Sequence, residues 1–586
     1  MRKSLSIILL LLSTIRLISA QGNDELLKPE RVYLHTDRDL YLAGEYLFYT
    51  LYLQGNPGKM SKYAYLIVRD KNSSFVSDLR LEINNQIAYG SIYLSDTLSS
   101  GIYQIVCYTN CMRNEGEKTY FNKEIIIANR FDEKMDLFNA PANYVSDISS
   151  KVPSDLNNLN ENIIIHLDKQ EFDQREKISF SVENKNNPID SITRLSVSIS
   201  EIIPGIPLEP SFPEYFGNNR YSYNKEANQN YCKFIPEING AVIQGQIMPV
   251  KQIVNGKDSI LIQGRNPSMN FTLLVSAIDS IVNMQLITTD STGTFSFLLN
   301  PFYDGKELIM RLKENVNSTI IPDKKFGLFQ TFTPSGKFNV PGLKDYMIRS
   351  AKIAQFQNFY SNQPTIITKK KFIPSKPVPR IYYKQYSTIY PSDFLELPDF
   401  VEISKEIIPA LRLKKTDNKY VSVYMNLLNQ SNVNVEPTIF LDGVAIDDVN
   451  QIIKMGSTKI VRIESLPVPR AYGELSFSGI LAVFSKDQEI NNIQFKTPTI
   501  KYQTLSSESY TKPEAFKPVD NSKHIPDLRQ QLLWEPEIIL RKNEKRQISC
   551  YASDLQGKFR INIQGITSDG NSVCGSSIFI VQFKER

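Results

Sequence analysis

Histidine and cysteine do most of the acid–base, metal and nucleophilic chemistry of proteins near neutral pH, and this sequence of 586 residues holds few of either. Its three histidines, His35, His166 and His524, lie far apart. None falls in H-E-x-x-H or one helical turn from a second ligand, so no metal site is expected. His35 closes a short apolar run and reads as a histidine satisfied by hydrogen bonds at a strand end. The five cysteines form no C-x-x-C: Cys107 and Cys111 are close, Cys232 stands alone, and Cys550 and Cys574 share the last stretch. In an oxidising compartment Cys550 and Cys574 are the expected disulfide, provided their Cα atoms come within roughly 7 Å. An odd count leaves at least one thiol or a bridge between molecules. Neither G-x-S-x-G nor the phosphate-cradling G-x-x-x-x-G-K-[ST] occurs. The adjacent carboxylates Asp447 and Asp448 are explained as helix caps before Val449. No catalytic residue, cofactor or metal is expected.

The elements that place these residues are mostly strands. Hydrophobic residues make up 41% and charged ones 22%, which is ordinary for a globular chain. Aromatics reach 11%, with 30 Tyr and 31 Phe against one Trp, and favour β structure. The length allows roughly three to five domains. A net charge of +5 is thinly spread, and a run as short as Lys369-Lys370-Lys371 is a solvated face, not a nucleic-acid site. Arg2 and Lys3 precede the apolar run Leu5–Leu12, and Ala20 ends a small-residue stretch: the pattern of a secretory signal peptide over residues 1–20. No later apolar stretch reaches the roughly eighteen residues of a spanning helix. An exported chain without a transmembrane span follows as the expectation.

Residues 437–486 are the most legible stretch. Thr438–Leu441 and Val444–Ile446 are strands around Asp442-Gly443, a dipeptide that supplies positive φ at both centres of a hairpin turn. Asp447 and Asp448 then cap a helix expected from Val449 to Met455, with Gly456 as its stop. Lys459–Leu466 and Ile480–Ser485 follow as strands, with Pro467, Pro469 and Gly473 punctuating the loop between. This order of LDG turn, DDVN cap, KIVRIESL strand, RAYG loop and GILAVFSK strand resembles the plug domain of TonB-dependent outer-membrane receptors. The resemblance implies a small α/β domain over 385–495 and no chemistry of its own. A receptor barrel needs about 22 strands of about ten residues, and only about half that length follows Lys486.

Elsewhere alternating apolar runs bounded by turns predict β-sandwiches. VYLHTDRDLYLAGE and LSSGIYQIVCYTNCMRNEGEKTYFNKEIIIAN resemble the macroglobulin-type domain of secreted Gram-negative proteins, with Cys107 and Cys111 as departures. IIIHLDKQEFDQREKISFSV repeats that grammar, and TTDSTGTFSF resembles the turn-strand of carboxypeptidase-regulatory-like sandwiches. The last stretch resembles a terminal macroglobulin sandwich, with Trp534 as a core aromatic. The expected fold is therefore mainly β: tandem immunoglobulin-like or macroglobulin-type sandwiches over 28–130, 160–235, 236–335 and 525–586, plus the plug-like unit. A helix from Leu343 to Tyr360 lies in a connecting segment, 340–380, and is expected to pack on a sandwich.

The thioester signature Cys-x-Glu-Gln of the protease-trapping macroglobulins is absent at all five cysteines. The expected function is accordingly a non-enzymatic envelope scaffold. It would dock to outer-membrane or periplasmic proteins through sandwich edges and the plug-like unit, in the periplasm, at the outer membrane or on the cell surface. A glycan- or small-ligand-binding module is the alternative, and a protease inhibitor ranks below both.

Overall fold

The computed structural model describes residues 29–132 (except 57), 162–218 (except 185–191, 205 and 207–210), 233–326 (except 256, 257 and 264–269), 332, 334, 346–350, 352, 387–505 (except 426–434) and 527–583 (except 542 and 543). The first unit holds β1 to β8: Arg31–Thr36, Leu40–Leu42, Tyr46–Gln54, Tyr63–Arg69, Phe75–Glu82, Ile87–Tyr93, Gly101–Thr109 and Phe121–Ala128. They form sheets of order β1-β3-β6 and β2-β8-β7-β4-β5. Leu47, Tyr49, Leu51 and Leu53 alternate inward along β3 and meet Ile105 and Val106 of the other sheet in one core, as a sandwich requires.

The remaining units are nested. β9 to β12 (Ile163–Leu167, Glu171–Asp173, Lys177–Asn184 and Thr193–Glu201) begin a second sandwich. β13 to β19 (Val242–Asn255, Asp258–Gln263, Thr272–Ala277, Gln285–Thr288, Thr294–Leu298, Glu307–Leu312 and Ser318–Pro322) begin a third. β20 to β28 (Ser387–Ile389, Leu411–Thr416, Lys419–Tyr424, Thr438–Leu441, Val444–Ala445, Ile460–Leu466, Arg470–Tyr472, Leu475–Phe477 and Ile480–Ser485) build the α/β unit. The chain then returns. β29 (Thr499–Gln503) pairs with β18 and completes the third sandwich. β30 to β33 (Gln531–Leu540, Arg546–Tyr551, Gly557–Thr567 and Ser572–Gln582) complete the second, in sheets β10-β33-β32-β12-β30 and β31-β11-β9.

The separate sandwiches expected over 160–235 and 525–586 are therefore one domain. The physical reason is pairing: β12 takes its hydrogen bonds from β30 on one side and β32 on the other, and β11 lies between β9 and β31. Burial confirms it, since Phe180, Val197, Leu540, Phe559 and Ile563 share one core. Of the helix expected at Leu343–Tyr360, residues 346–350 and 352 are helical, and the rest lies outside the described residues. Tyr346 and Met347 pack on Leu40, Leu42 and Ile126 of the first sandwich.

Within the α/β unit the sheet order is β20-β25-β28-β23-β24, with β21–β22 and β26–β27 as separate ribbons. β28 is the central strand and is apolar along its length because both faces are covered. Leu481 and Val483 face the helix Phe400–Glu406, whereas Ala482 and Phe484 face Val282 of the third sandwich. Asp399 caps that helix by accepting the Glu402 N–H. The helix expected from Val449 to Met455 is shorter, a 3-10 turn Val449–Gln451. Ile452 donates to Val449 and Met455 to Ile452, three residues apart each time, which brings both buried side chains onto one side. Gly456 is extended at φ −82, so it is no left-handed stop; a Cβ there would lie 2.9 Å from the Pro398 carbonyl.

Candidate functional site

The Asp442-Gly443 turn forms as its sequence dictates, with φ of 48 and 87 and the pairs Phe440↔Ala445 and Leu441↔Val444. Asp442 is buried and accepts the Ser485 N–H and hydroxyl, both at 2.7 Å, and the Ile490 N–H at 3.2 Å. These bonds tie the turn to the end of β28. Outward, the turn enters the loop between β15 and β16. Asp279 donates its N–H to the Asp442 carbonyl at 2.9 Å, and the Asn283 N–H reaches the Gly443 carbonyl at 3.4 Å. Asn283 shapes that cup by accepting the Ala277 N–H at 2.6 Å and donating to the Ala277 and Ile281 carbonyls.

Glycine is required here twice over. Its φ lies in the left-handed region, and a Cβ would sit 2.8 Å from the Ile281 carbonyl oxygen and 3.0 Å from two more. Replacing Gly443 by Ala should cost about 2–4 kcal/mol and loosen the α/β unit from the third sandwich. Limited proteolysis checks this, because residues 387–495 should be cut first in the variant.

Asp447 and Asp448 are likewise engaged within the chain. Asp447 accepts Arg311 of the third sandwich at 3.0 Å and the Lys496 N–H at 3.0 Å. Asp448 caps the 3-10 turn through the Asn450 N–H, and Gln451 reaches back to complete a capping box. Burial raises the Asp448 pKa, but Lys496 at 2.7 Å and the bonds from Asn450 outweigh it and hold the carboxyl below its ordinary range. The Arg462 guanidinium donates to the Ser280 carbonyl and adds a further link to the same loop. The Asp442-Gly443 turn and Asp447 thus fasten the unit to its neighbour, while Asp448 holds the cap within it.

Cys550 and Cys574 are buried thiols in facing sheets and share no disulfide. Register gives the reason. Cys550 pairs with Ile178, whereas the residue after Cys574 abuts Ile163, which pairs with Asn184. Six residues of extended β11 separate those ends, about 20 Å at 3.3 Å per residue. Burial pushes the Cys550 thiol up to about 12, so it stays protonated. Cys232 and His524 lie outside the described residues. His166 is exposed beside Glu183. Among the described residues no three His, Cys, Asp or Glu side chains are grouped to hold a metal.

His35 lies in the joint between the first two sandwiches. One face of β32 and β12 is polar (Asn562, Gln564, Ser196 and Ser198), and it is buried under β1 and β3. His35 Nδ1 is 2.6 Å from Ser196 Oγ, and its Nε2 is 3.1 Å from Asn562. Tyr52 donates to Ser196 and to the Gln564 carbonyl, and Thr50 to the Pro536 carbonyl. Burial, then Lys123 and Arg560, hold the His35 pKa well below its ordinary value, so the ring is neutral. Trp534 is buried, as expected of a core aromatic, and its ring lies 5.2 Å from His35 in this joint. A cavity of about 70 Å³ beside it is lined by Asp37, Arg38, Glu201 and Arg560. That is room for a few water-sized molecules.

Asp37 is buried at the rim, accepting the Tyr41 hydroxyl at 2.8 Å and the Phe48 N–H at 2.9 Å. Burial, partly opposed by Arg38, raises its pKa from 3.8 to about 6. A raised carboxyl contributes stability that is whole below its unfolded value and lost as pH climbs through the folded one. The joint should therefore weaken between about pH 4 and 6 by up to about 3 kcal/mol. Asp37→Asn should flatten that window in a melting temperature against pH series.

A second joint links the first and third sandwiches. Glu237 is fully buried, accepting Tyr65 at 2.9 Å, the Val242 N–H at 2.8 Å and Lys325 Nζ at 3.3 Å. Asn110 and Asn114 hold the same segment through the Ile235 and Phe234 carbonyls. Sequence reading missed Glu237, Lys325 and Asn283, since a single polar residue in a turn-rich stretch gives no signal of its partner.

Several parts of the α/β unit stay open to solvent, among them the β26–β27 ribbon with Tyr472. Tyr390, Phe394 and Leu395, just after the edge strand β20, are 48%, 51% and 88% exposed. The β21–β22 ribbon is another, with Val421 exposed on it and Met425 just after it. No helix among the described residues is long and apolar enough to cross a membrane.

No family model matches the sequence, and no curated protein does. Among solved structures the chain is similar to Salmonella alpha-2-macroglobulin reacted with methylamine, at 9% identity and a TM-score of 0.23, over 96% of this chain and 40% of that one. It is similar to the native conformation of E. coli alpha-2-macroglobulin at 11% identity and a TM-score of 0.23, over 95% and 40%. A CARDB domain from Pyrococcus furiosus matches at 10% identity and a TM-score of 0.14, over 18% of this chain and 96% of that domain. The chain spans less than half the length of the macroglobulins it matches.

Proposed function

We propose that the protein is an exported, non-enzymatic scaffold of the Gram-negative envelope, and that its α/β unit docks to an outer-membrane or periplasmic protein. The leader pattern of residues 1–20 supports export, and the resemblance of residues 437–486 to receptor plugs supports the compartment. The observation that carries the docking reading is the contrast within the α/β unit. Its Asp442-Gly443 turn and Asp447 are spent on holding it to the third sandwich, while Tyr390, Phe394 and Leu395, close together in sequence, are exposed. A leucine 88% exposed beside two exposed aromatics is what a contact surface leaves bare before its partner arrives.

The test is a pull-down from intact envelopes with wild type and with Phe394→Ser/Leu395→Glu. Both side chains are exposed, so the fold should hold. Wild type should retain a membrane-protein partner and the variant should lose it. Equal capture by both would defeat this reading, and so would retention of sugars alone.

A further inference from the structure

The β21–β22 ribbon has two edges that differ in a way the fold does not need. Asp417 and Asn418, at φ 48 and 62, turn it, and its register runs from Leu411↔Tyr424 through Lys414↔Val421 to Thr416↔Lys419. In such a pair, alternate residues spend their backbone groups on the partner strand and the others point them outward. On β22 the outward residues are Tyr420, Ser422 and Tyr424. Asn450 closes the first, accepting the Tyr420 N–H at 2.8 Å and donating to its carbonyl at 2.9 Å. Val435 closes the last by exchanging both backbone bonds with Tyr424. By the same alternation β21 turns the groups of Leu411, Leu413 and Lys415 outward, and Arg412 Nη1 caps the Leu411 carbonyl at 2.8 Å. Among the described residues no strand pairs with that edge.

The charged side chains of β21 itself, Arg412, Lys414 and Lys415, are all positive, with Asp417 of the turn the acidic neighbour at the tip. Arg412 and Lys414 lie on one face of the ribbon with Lys419 and Val421 opposite, and Lys415 is exposed near the tip. Among the described residues none of these four cations takes part in an ion pair. Lysines on an edge can serve merely to deter pairing. Deterrence, however, does not account for one edge being closed by a side-chain amide while the other is left open beside cations that make no ion pair among the described residues, Lys415 resting over the Tyr420 ring. An anionic membrane would use the cations and ignore the backbone.

We propose that β21 recruits an extended acidic segment of a partner protein by strand addition, a reading that rests on the scaffold function above. Leu413 and Lys415 exchange backbone bonds with the incoming strand. Its carboxylates, at alternate positions, then lie beside Arg412 and Lys414, because cross-strand neighbours are about 4.5–5.5 Å apart at Cβ. The segment it fits reads acid–apolar–acid.

The probe is a soluble ten-residue peptide alternating Glu with Val, measured by fluorescence anisotropy against the full chain. Its Gln-for-Glu counterpart and vesicles of phosphatidylglycerol are the comparisons. Lys415→Pro deletes one outward N–H and spares the bonds that hold the ribbon together, and Lys415→Thr matches its loss of charge. The Glu peptide should bind wild type, and Lys415→Pro should weaken it about tenfold or more relative to Lys415→Thr. Arg412→Glu/Lys414→Glu should weaken it by a similar factor. Equal binding by the Pro and Thr variants, equal binding of the Gln peptide, or binding of vesicles without peptide would each overturn the proposal. In the envelope pull-down, a partner that Lys415→Pro still captures removes this edge and leaves the scaffold reading standing. No capture by wild type removes the scaffold reading, and the peptide result still decides the edge.

Discussion

A chain ended before Asp527 should lose the second sandwich entirely, although residues 163–201 are all still present. β12 would be stripped of both neighbours, β30 and β32, and β11 of β31. Twelve of the twenty residues in that core come from the returning segment, among them Leu540, Phe559, Ile561, Ile563 and Val581. At about 1.5–3 kcal/mol for each large side chain buried, these five alone outweigh much of the 5–15 kcal/mol by which a domain is stable. The loss should spread, because Asn562 and Trp534 meet His35, Gln564 meets Tyr52 and Pro536 meets Thr50 of the first sandwich. The truncated chain should bind a hydrophobic dye and yield to protease throughout 163–201. A soluble fragment with that stretch protected would mean that β9 to β12 fold alone.

Lys325→Met is the point substitution expected to cost most. It leaves Glu237 fully buried without its Lys325 partner, since Tyr65 and the Val242 N–H carry no net charge. Removing one member of a buried pair costs about 3–5 kcal/mol. Burial already lowers the Lys325 pKa, with Glu237 opposing that fall, so the site tolerates the ammonium only because the carboxylate is there. The double variant Lys325→Met/Glu237→Gln should recover most of the loss, because a neutral amide needs no counter-charge. Thermal unfolding followed by tyrosine fluorescence would show this as the first transition falling in the single variant and returning in the double one.

Local patterns were legible where one residue determines one conformation. Asp442-Gly443 announced its turn, Asp448 is the cap that its position suggests, and β28 matches its apolar run to the residue. Partnership was not legible. Nothing between Thr193 and Glu201 says that its neighbours lie more than three hundred residues away, because strand grammar is the same for near and far pairing. The same gap explains the disulfide: Cys550 and Cys574 are near in sequence, but register sends them to opposite ends of β11. Ser196, Asn562 and Gln564 alternate with apolar residues and so read as solvent-facing, whereas a second domain covers them. The Asp417-Asn418 turn carries a signal, two residues suited to positive φ between alternating runs, but names no partner for the edge it leaves.

Those turns and joints matter because they decide what is left over for contact. Asp442, Gly443, Asp447 and Arg462 belong to the seam with the third sandwich, and His35 and Glu237 to the seams around the first. The most direct check on the scaffold account is a photo-crosslinking amino acid placed at Leu395 in the full chain in living cells, with the exposed turn residue Asp290 as control. Position 395 should join a discrete membrane-associated or periplasmic protein, and position 290 should not. Equal labelling at both positions, or no adduct at 395 in cells that make the protein well, would contradict it.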